Sequence, residues 1–417
     1  MSDFDVVGKR IVTDAKTEMM LRETRGVQSL ASSGGLTELR LGQQVDVFGS
    51  TDKKVHAIRA TKVVTERPMP QTVSGMAVIE EMLPTAGAGP DTLAFLKADG
   101  YRIRIGNSTS MKFGFPLTKP EEIAANVVVK YDGDLGLDGV VLARNAEFYL
   151  NAVTDAEMTK REEWDYDPHQ IAADSHQPLR SKLLRGVDPM AFPLHKDAAM
   201  QARVTAVGQK LIPEYQKSLP ADERARMNFR LYVVEAHYVL WPLPGGMILV
   251  SADLVERTQN DSQLAALLAE AVAHLIERQP FGLPLTDGQV AKSLTLDAAI
   301  DLIPFASVAY SPFAIYEMVS TAQRKWLFEQ QRERVALSLM HDAGFDLMEA
   351  PKMEWLLDSK KPKDIAKVPA PRSAVYMYEL LGSRWLVPQK SGEKADAKTN
   401  AAPVSGLAQA GMRSSHM

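Results

Sequence analysis

Along the first 150 residues apolar and polar positions alternate in short runs that break at glycine and aspartate, the pattern of antiparallel strands joined by hairpins. The pattern occurs twice. GKRIVTDAKTEMML from Gly8 and GYRIRIGNSTSMKF from Gly100 share GxRIxxxxxTxMx, followed by Leu21 or Phe113. Each is followed by a second strand-like segment, QQVDVFGSTDKKVHAIRATKV or ANVVVKYDGDLGLDGVVLARNAEF, in which Val45 and Val47 answer Val127 and Val129. Matches at fixed spacing argue for duplication, and the unequal loops are what loops tolerate. Two small β-barrels or β-sandwiches are predicted, at 1–68 and 99–150, with a connector at 69–98 that carries one short amphipathic piece.

The period then changes. HKDAAMQARVTAVGQKLIPEY has helical spacing, MNFRLYVVEAHYVLW reads as a strand rich in β-formers, and a helix opens at Asn260 with Gln263 three residues on, a capping-box arrangement. The apolar stripe of that helix is Leu264, Leu267, Leu268, Ala271, Val272, Leu275 and Ile276. A main domain is therefore expected at 191–388. Before it, the acidic stretch 151–190 reads as a linker or wrapping arm, and after it residues 389–417 read as a disordered polar tail.

Composition narrows the function classes. A chain of 417 residues with 45% apolar and 24% charged positions is ordinary for a globular protein, and its net charge of -4 gives no general attraction to nucleic acid or anionic lipid. An oligonucleotide-binding barrel would show a basic groove, yet residues 1–150 hold 18 Lys plus Arg against 19 Asp plus Glu. No nucleic-acid partner is expected. There is no cysteine, which excludes disulfides, thiol nucleophiles and Cys-ligated zinc. In the acidic loop Asp132, Asp134 and Asp138 could supply oxygens to calcium, but the twelfth position of such a loop is Ala143, so a solvated hairpin is expected. His169 and His176 lack further spaced ligands and read as solvated. The start MSDFDVVGKR carries no secretory signal, and residues 296–320, interrupted by Asp301, Pro304, Pro312 and Glu317, read as soluble helix and loop rather than a span; a membrane-surface hairpin is the alternative.

PLPGGMILVSADLVER followed by QLAALLAEAVAHLIE resembles the active-site strand and helix of the zinc metallopeptidases of the CAAX prenyl endopeptidase and HtpX-like family. Pro244, Gly245 and Gly246 match that family's turn. The family's helix carries HExxH, two zinc-binding histidines around a catalytic glutamate. Here the segment reads EAVAH: His274 matches the second histidine, Glu270 replaces the first, and Ala271 stands at the catalytic glutamate. The family's third ligand is a glutamate on a later helix, before a segment resembling LMHDAGFD at 339–346. Counting back places Gln331 at that ligand and Glu333 at the family's aspartate; a neutral amide is a poor zinc ligand beside a carboxylate. The N-terminal modules resemble the OB-like β modules of bacterial envelope proteins.

The resemblance implies an α+β chain: two small N-terminal β modules, then a mainly helical zincin-like metallopeptidase domain with a small sheet. It implies no catalytic residue, no metal and no cofactor. The expected function is a pseudopeptidase that binds a polypeptide partner, with Pro244, Gly245, Gly246, Met247, Ile248, Leu249 and Val250 as an edge for strand addition. An extracytoplasmic setting follows from both resemblances. One alternative is a divergent metalloendopeptidase with zinc in a remodelled site of Glu270, His274, Glu277 and Glu333. Another is a structural oligomer whose cleft is filled by its own arm, around Trp164 to His176. A plainer expectation for Glu270, His274 and Glu277 is a solvated face with an i,i+4 Glu-to-His pair.

Overall fold

The computed structural model describes residues 2–6, 9–23, 26–30, 39, 44–52, 57–66, 71–86, 88–89, 91–136, 138–170, 192–279, 321–358, 371–382 and 407–410. The stretch 296–320, expected as soluble helix and loop, His176 and most of the polar tail lie outside them. The architecture is α+β, and the chain divides into two compact units, one of residues 1–71, 135–140 and 354–417, the other of residues 72–134 and 141–353.

In the first unit, strands β1 (Ser2–Val6), β2 (Lys9–Thr13), β3 (Glu18–Glu23), β4 (Gly26–Leu30), β5 (Gln44–Asp52), β6 (Ala57–Glu66) and β16 (Leu407–Ala410) form one sheet in the order β2-β1-β16-β5-β6-β3-β4. Pairing of β2 with β6 closes five of these strands into a barrel. Its core is Ile11, Met19, Val45, Ala60 and Val63, the inward positions of the alternating pattern.

The second unit opens with a six-stranded sheet built from β7 (Gln71–Met82), β8 (Thr92–Ala98), β9 (Tyr101–Gly106), β10 (Ser110–Phe113), β11 (Val127–Leu135) and β12 (Val140–Leu150), in the order β10-β12-β11-β7-β8-β9 and closed by β12 with β9. The stretch expected as a connector at 69–98 thus supplies two of its strands. QTVSGMAVIEEM misleads because Met76 to Glu80 are buried consecutively rather than alternately, and a short apolar run does not distinguish strand from helix.

The duplication is carried into the backbone. Ser2↔Thr13 through Val6↔Lys9 in the first sheet match Ala94↔Ile105 through Ala98↔Tyr101 in the second. Thr17 Oγ1 accepts from the Asp14 amide at 3.0 Å and donates to the Ala60 carbonyl at 2.8 Å; Thr109 Oγ1 accepts from Gly106 at 3.0 Å and donates to Ala143 at 2.7 Å. In the β11–β12 hairpin, Asp132 accepts from Arg144 and Asn145, and Asp134 from Thr72.

The rest of the second unit is helical around a small sheet. It contains α1 (Asp155–Glu163), α2 (Ala198–Leu211), α3 (Glu214–Ser218), β13 (Arg230–Val234), β14 (Leu240–Pro242), β15 (Met247–Ser251), α4 (Ala252–Arg257), α5 (Asp261–Ile276) and α6 (Thr321–Asp342). Helix α7 (Glu349–Asp358) runs over the division between residues 353 and 354, and α8 (Arg372–Leu380) belongs to the first unit. The strand expected from MNFRLYVVEAHYVLW is two strands, because the chain reverses at Tyr238, whose φ is +58° and whose amide donates to Asp253.

Candidate functional site

Helix α5 forms where the sequence pattern places it. Asn260 Oδ1 accepts from the Gln263 amide at 2.9 Å, closing the first turn; the return bond of Gln263 Oε1 goes to the Gln259 amide rather than to Asn260. All of Gln263 to Ile276 is buried, a helix enclosed on every side rather than striped. The expected solvated face of Glu270, His274 and Glu277 is therefore corrected: their exposures are 9%, 8% and 1%.

Helix α6 meets that face at Glu270, and strand β7 of the six-stranded sheet meets it at Glu277. Glu270 Oε2 lies 3.3 Å from Arg332 Nε. One turn on, burial drives the His274 pKa down to about 3, helped by the Arg332 charge, so its imidazole is neutral. Glu333, buried near Glu270, is raised to about 8 by desolvation and by that carboxylate, and stays protonated at neutral pH.

Gln331 points to the sheet. Its Nε2 donates to the Met76 carbonyl at 2.8 Å and to Glu277 Oε2 at 3.4 Å, and its Oε1 accepts from Gln279 Nε2 at 3.1 Å. Glu277 Oε2 also accepts from the Val78 amide at 3.2 Å. Burial lifts the Glu277 pKa well above the carboxylate range, and Asp99 and Glu80 push in the same direction. Gln331 thus ties α6 and the end of α5 to strand β7.

A network that sequence reasoning missed surrounds this tie. Arg334 on α6 donates to Asp99 Oδ1 at 2.5 Å, and Asp99 Oδ2 accepts from Tyr131 at 2.7 Å. Lys97 bridges Glu80, at 3.5 Å, and Asp342. Burial alone would depress the Lys97 ammonium, but the Glu80 and Asp342 charges outweigh it and hold the pKa above the ordinary lysine value. The available signal was Glu80 and Lys97 standing inside otherwise apolar strand sequence, with Asp99 in the turn that follows.

These residues do not fit zinc. A guanidinium pairs with the Glu270 carboxylate, the Gln331 amide is spent on backbone and side-chain bonds, and Glu277 faces β7. Among the described residues no group of three or more His, Asp or Glu side chains is arranged to hold a metal ion. Glu270, His274, Glu277 and Glu333 do not form the remodelled site.

The strand expected to accept a peptide is corrected as well. Strand β15 is the middle of its sheet, parallel to β13 and antiparallel to β14, and Met247 to Ser251 are all buried. It therefore offers no edge. The Pro244-Gly245-Gly246 turn serves the fold: Gly246 has φ +103°, and a Cβ there would sit 2.8 Å from the Asn228 carbonyl. The outer edge of β13 is engaged by the chain itself. Gln201 accepts from the Val233 amide and donates to the Leu231 carbonyl, while His195 donates to Val233 and Glu235 to Pro193.

The acidic arm covers a face of this sheet. Trp164 and Phe192 pack on Trp241 at ring distances of 6.2 and 6.3 Å, His169 meets Tyr232 edge-on, and Arg230 pairs with Asp165. Helix α1 is clamped at its Glu157 by Arg161 and Arg278, and Arg278 Nη1 also donates to Asn151 at 2.8 Å and Ala152 at 2.9 Å. Compared with known proteins, the chain matches no protein-family model and no curated sequence.

Proposed function

We propose that the chain is a non-catalytic, metallopeptidase-like scaffold that associates with polypeptide instead of cutting it. The observation that carries this reading is the bonding of Gln331, whose amide joins Met76, Glu277 and Gln279 at the position of the resembled family's third ligand. With Ala271 at the position of the base and Arg332 on Glu270, the helix pair supplies neither a metal-bound water nor a group to activate one. In this reading the zincin-like helices are a frame, and the two β modules are docking or spacing units in an extracytoplasmic assembly.

In this reading the cleft is filled by the chain's own arm, which the packing of Trp164, Tyr166 and Phe192 on the Trp241 cluster supports. Polypeptide would then be held elsewhere or only after the arm lifts. The experiment is metal analysis and peptidase assay of protein purified without chelator, with and without added zinc. The expected result is no stoichiometric zinc and no cleavage of unfolded casein. One zinc per chain, lost together with activity in Glu270→Ala and His274→Ala, overturns it.

A further inference from the structure

The two barrels share register but differ in the origin of one strand. In the six-stranded sheet the place between β8 and β11 is taken by β7, which precedes β8 in the chain. The equivalent place in the first sheet, between β1 and β5, is taken by β16, which comes from the opposite end of the chain. The occupants are unlike. Strand β7 has 12 residues and runs antiparallel to its partner β8, whereas β16 has 4 residues and runs parallel to both neighbours. Its register covers Asp5 and Val6 of β1 and Gln44 and Val45 of β5, a strand of 9 residues.

We propose that the slot between β1 and β5 is a strand-acceptor site for an extended segment of another polypeptide, with the chain's own Leu407–Ala410 as a displaceable occupant. Backbone pairing supplies affinity with little demand on sequence, and an antiparallel strand pairs somewhat more strongly per residue than a parallel one. A segment as long as β7 would engage more of β5 than the tail does and would run against β1 as β7 runs against β8. A second copy of this chain, offering the same four-residue tail, gains neither length nor direction. That difference selects a separate polypeptide as the occupant. The site is independent of the peptidase-like helices, so it stands or falls apart from the reading above.

The test uses the full chain, its Ala408→Pro variant, and a fluorescent peptide of the β7 sequence QTVSGMAVIEEM with a scrambled control. Proline at 408 removes an amide donor and disfavours the paired tail, and a tethered competitor acts at about millimolar effective concentration. The expected result is peptide binding at least tenfold tighter to the variant than to the unaltered chain, with no binding of the scrambled peptide. Hydrogen exchange over 2–6 and 44–48 should be faster in the variant and slow again once peptide is bound. Should the variant not fold, the unaltered chain titrated to high peptide concentration must show the same protection. Equal affinities, unchanged exchange, or protection appearing at 92–98 instead of 2–6 overturns the proposal. So does a concentration-dependent dimer of the unaltered chain that Ala408→Pro abolishes, since that assigns the slot to a second copy.

Discussion

Replacing Glu277 by glutamine should stabilise the second unit, and by an amount that grows with pH. Glu277 is faced by Val78 and Glu80 of β7, Asp99 of the β8–β9 turn, Gln331 and Arg334 of α6, and Tyr215 of α3, whose own pKa its charge helps to raise. Burial first, then Asp99 and Glu80, raise its folded pKa above the ordinary value of 4.5. The folded chain therefore keeps a proton that the unfolded chain releases above that value. Stability of the parent falls as pH rises from there toward the folded pKa, at up to about 1.4 kcal/mol per pH unit. Glutamine accepts the same bonds from Val78 and Gln331 and has no proton to lose. Between pH 5 and pH 7 the stability gap between variant and parent should widen in the variant's favour by up to about 3 kcal/mol. Urea unfolding followed by tryptophan fluorescence, at several pH values and in matched salt, measures it; titrations common to both proteins cancel in the difference. A gap that is flat from pH 5 to pH 8 refutes the protonated buried carboxyl.

Arg332→Ala leaves the Glu270 carboxylate buried without its cation and should cost about 3 kcal/mol in urea unfolding; a loss under about 0.5 kcal/mol would show the pair to be idle. His274 has its folded pKa lowered to about 3, so the unfolded chain binds the extra proton between there and about 6.5. Stability is fully present above that window and is lost as pH falls through it, and His274→Gln should flatten that acid limb. Thr17→Val and Thr109→Val each remove a buried hydroxyl that bonds in both directions, and should cost about 1 to 3 kcal/mol apiece by chemical denaturation. A duplicated device predicts similar losses in the two barrels; a large loss in only one speaks against equivalence. Gly246→Ala forces a Cβ against Asn228 at φ +103° and should lower the melting temperature of the second unit by several degrees, which differential scanning calorimetry reads directly.

The repeat was legible because its determinants are local. Gly8 and Gly100, the paired RI dipeptides, and Thr17 and Thr109 lie in one continuous segment per copy, and the hydroxyl at the tenth residue of the pattern closes the same turn in both. Strand β7 reads as a connector because MAVIE is buried on consecutive residues, so the alternation that marks a half-exposed strand is missing. Helix α5 was legible in its cap and its apolar stripe, while the burial of its polar residues was not. That burial depends on β7 and α6, far away in sequence, and no periodicity within the helix reports it.

The same non-locality explains why EAVAH reads as a damaged catalytic motif and folds as a joint. In isolation Glu270 and His274 one turn apart suggest a metal face or a solvated pair. Against α6 they meet Arg332 and the protonated Glu333, and the end of the helix meets a strand of the duplicated sheet through Glu277 and Gln331. A single metal ion could not replace this set of contacts, because they point in two directions, Glu270 toward α6 and Glu277 toward β7. A glutamate at 331 would place a second carboxyl beside Glu277 and take the amide donor from the Met76 carbonyl, costing roughly 1 to 3 kcal/mol for the orphaned acceptor alone. Glutamine at this position is thus a requirement of the sheet-to-helix packing, and a zinc site here would require changes on β7 and α6 together.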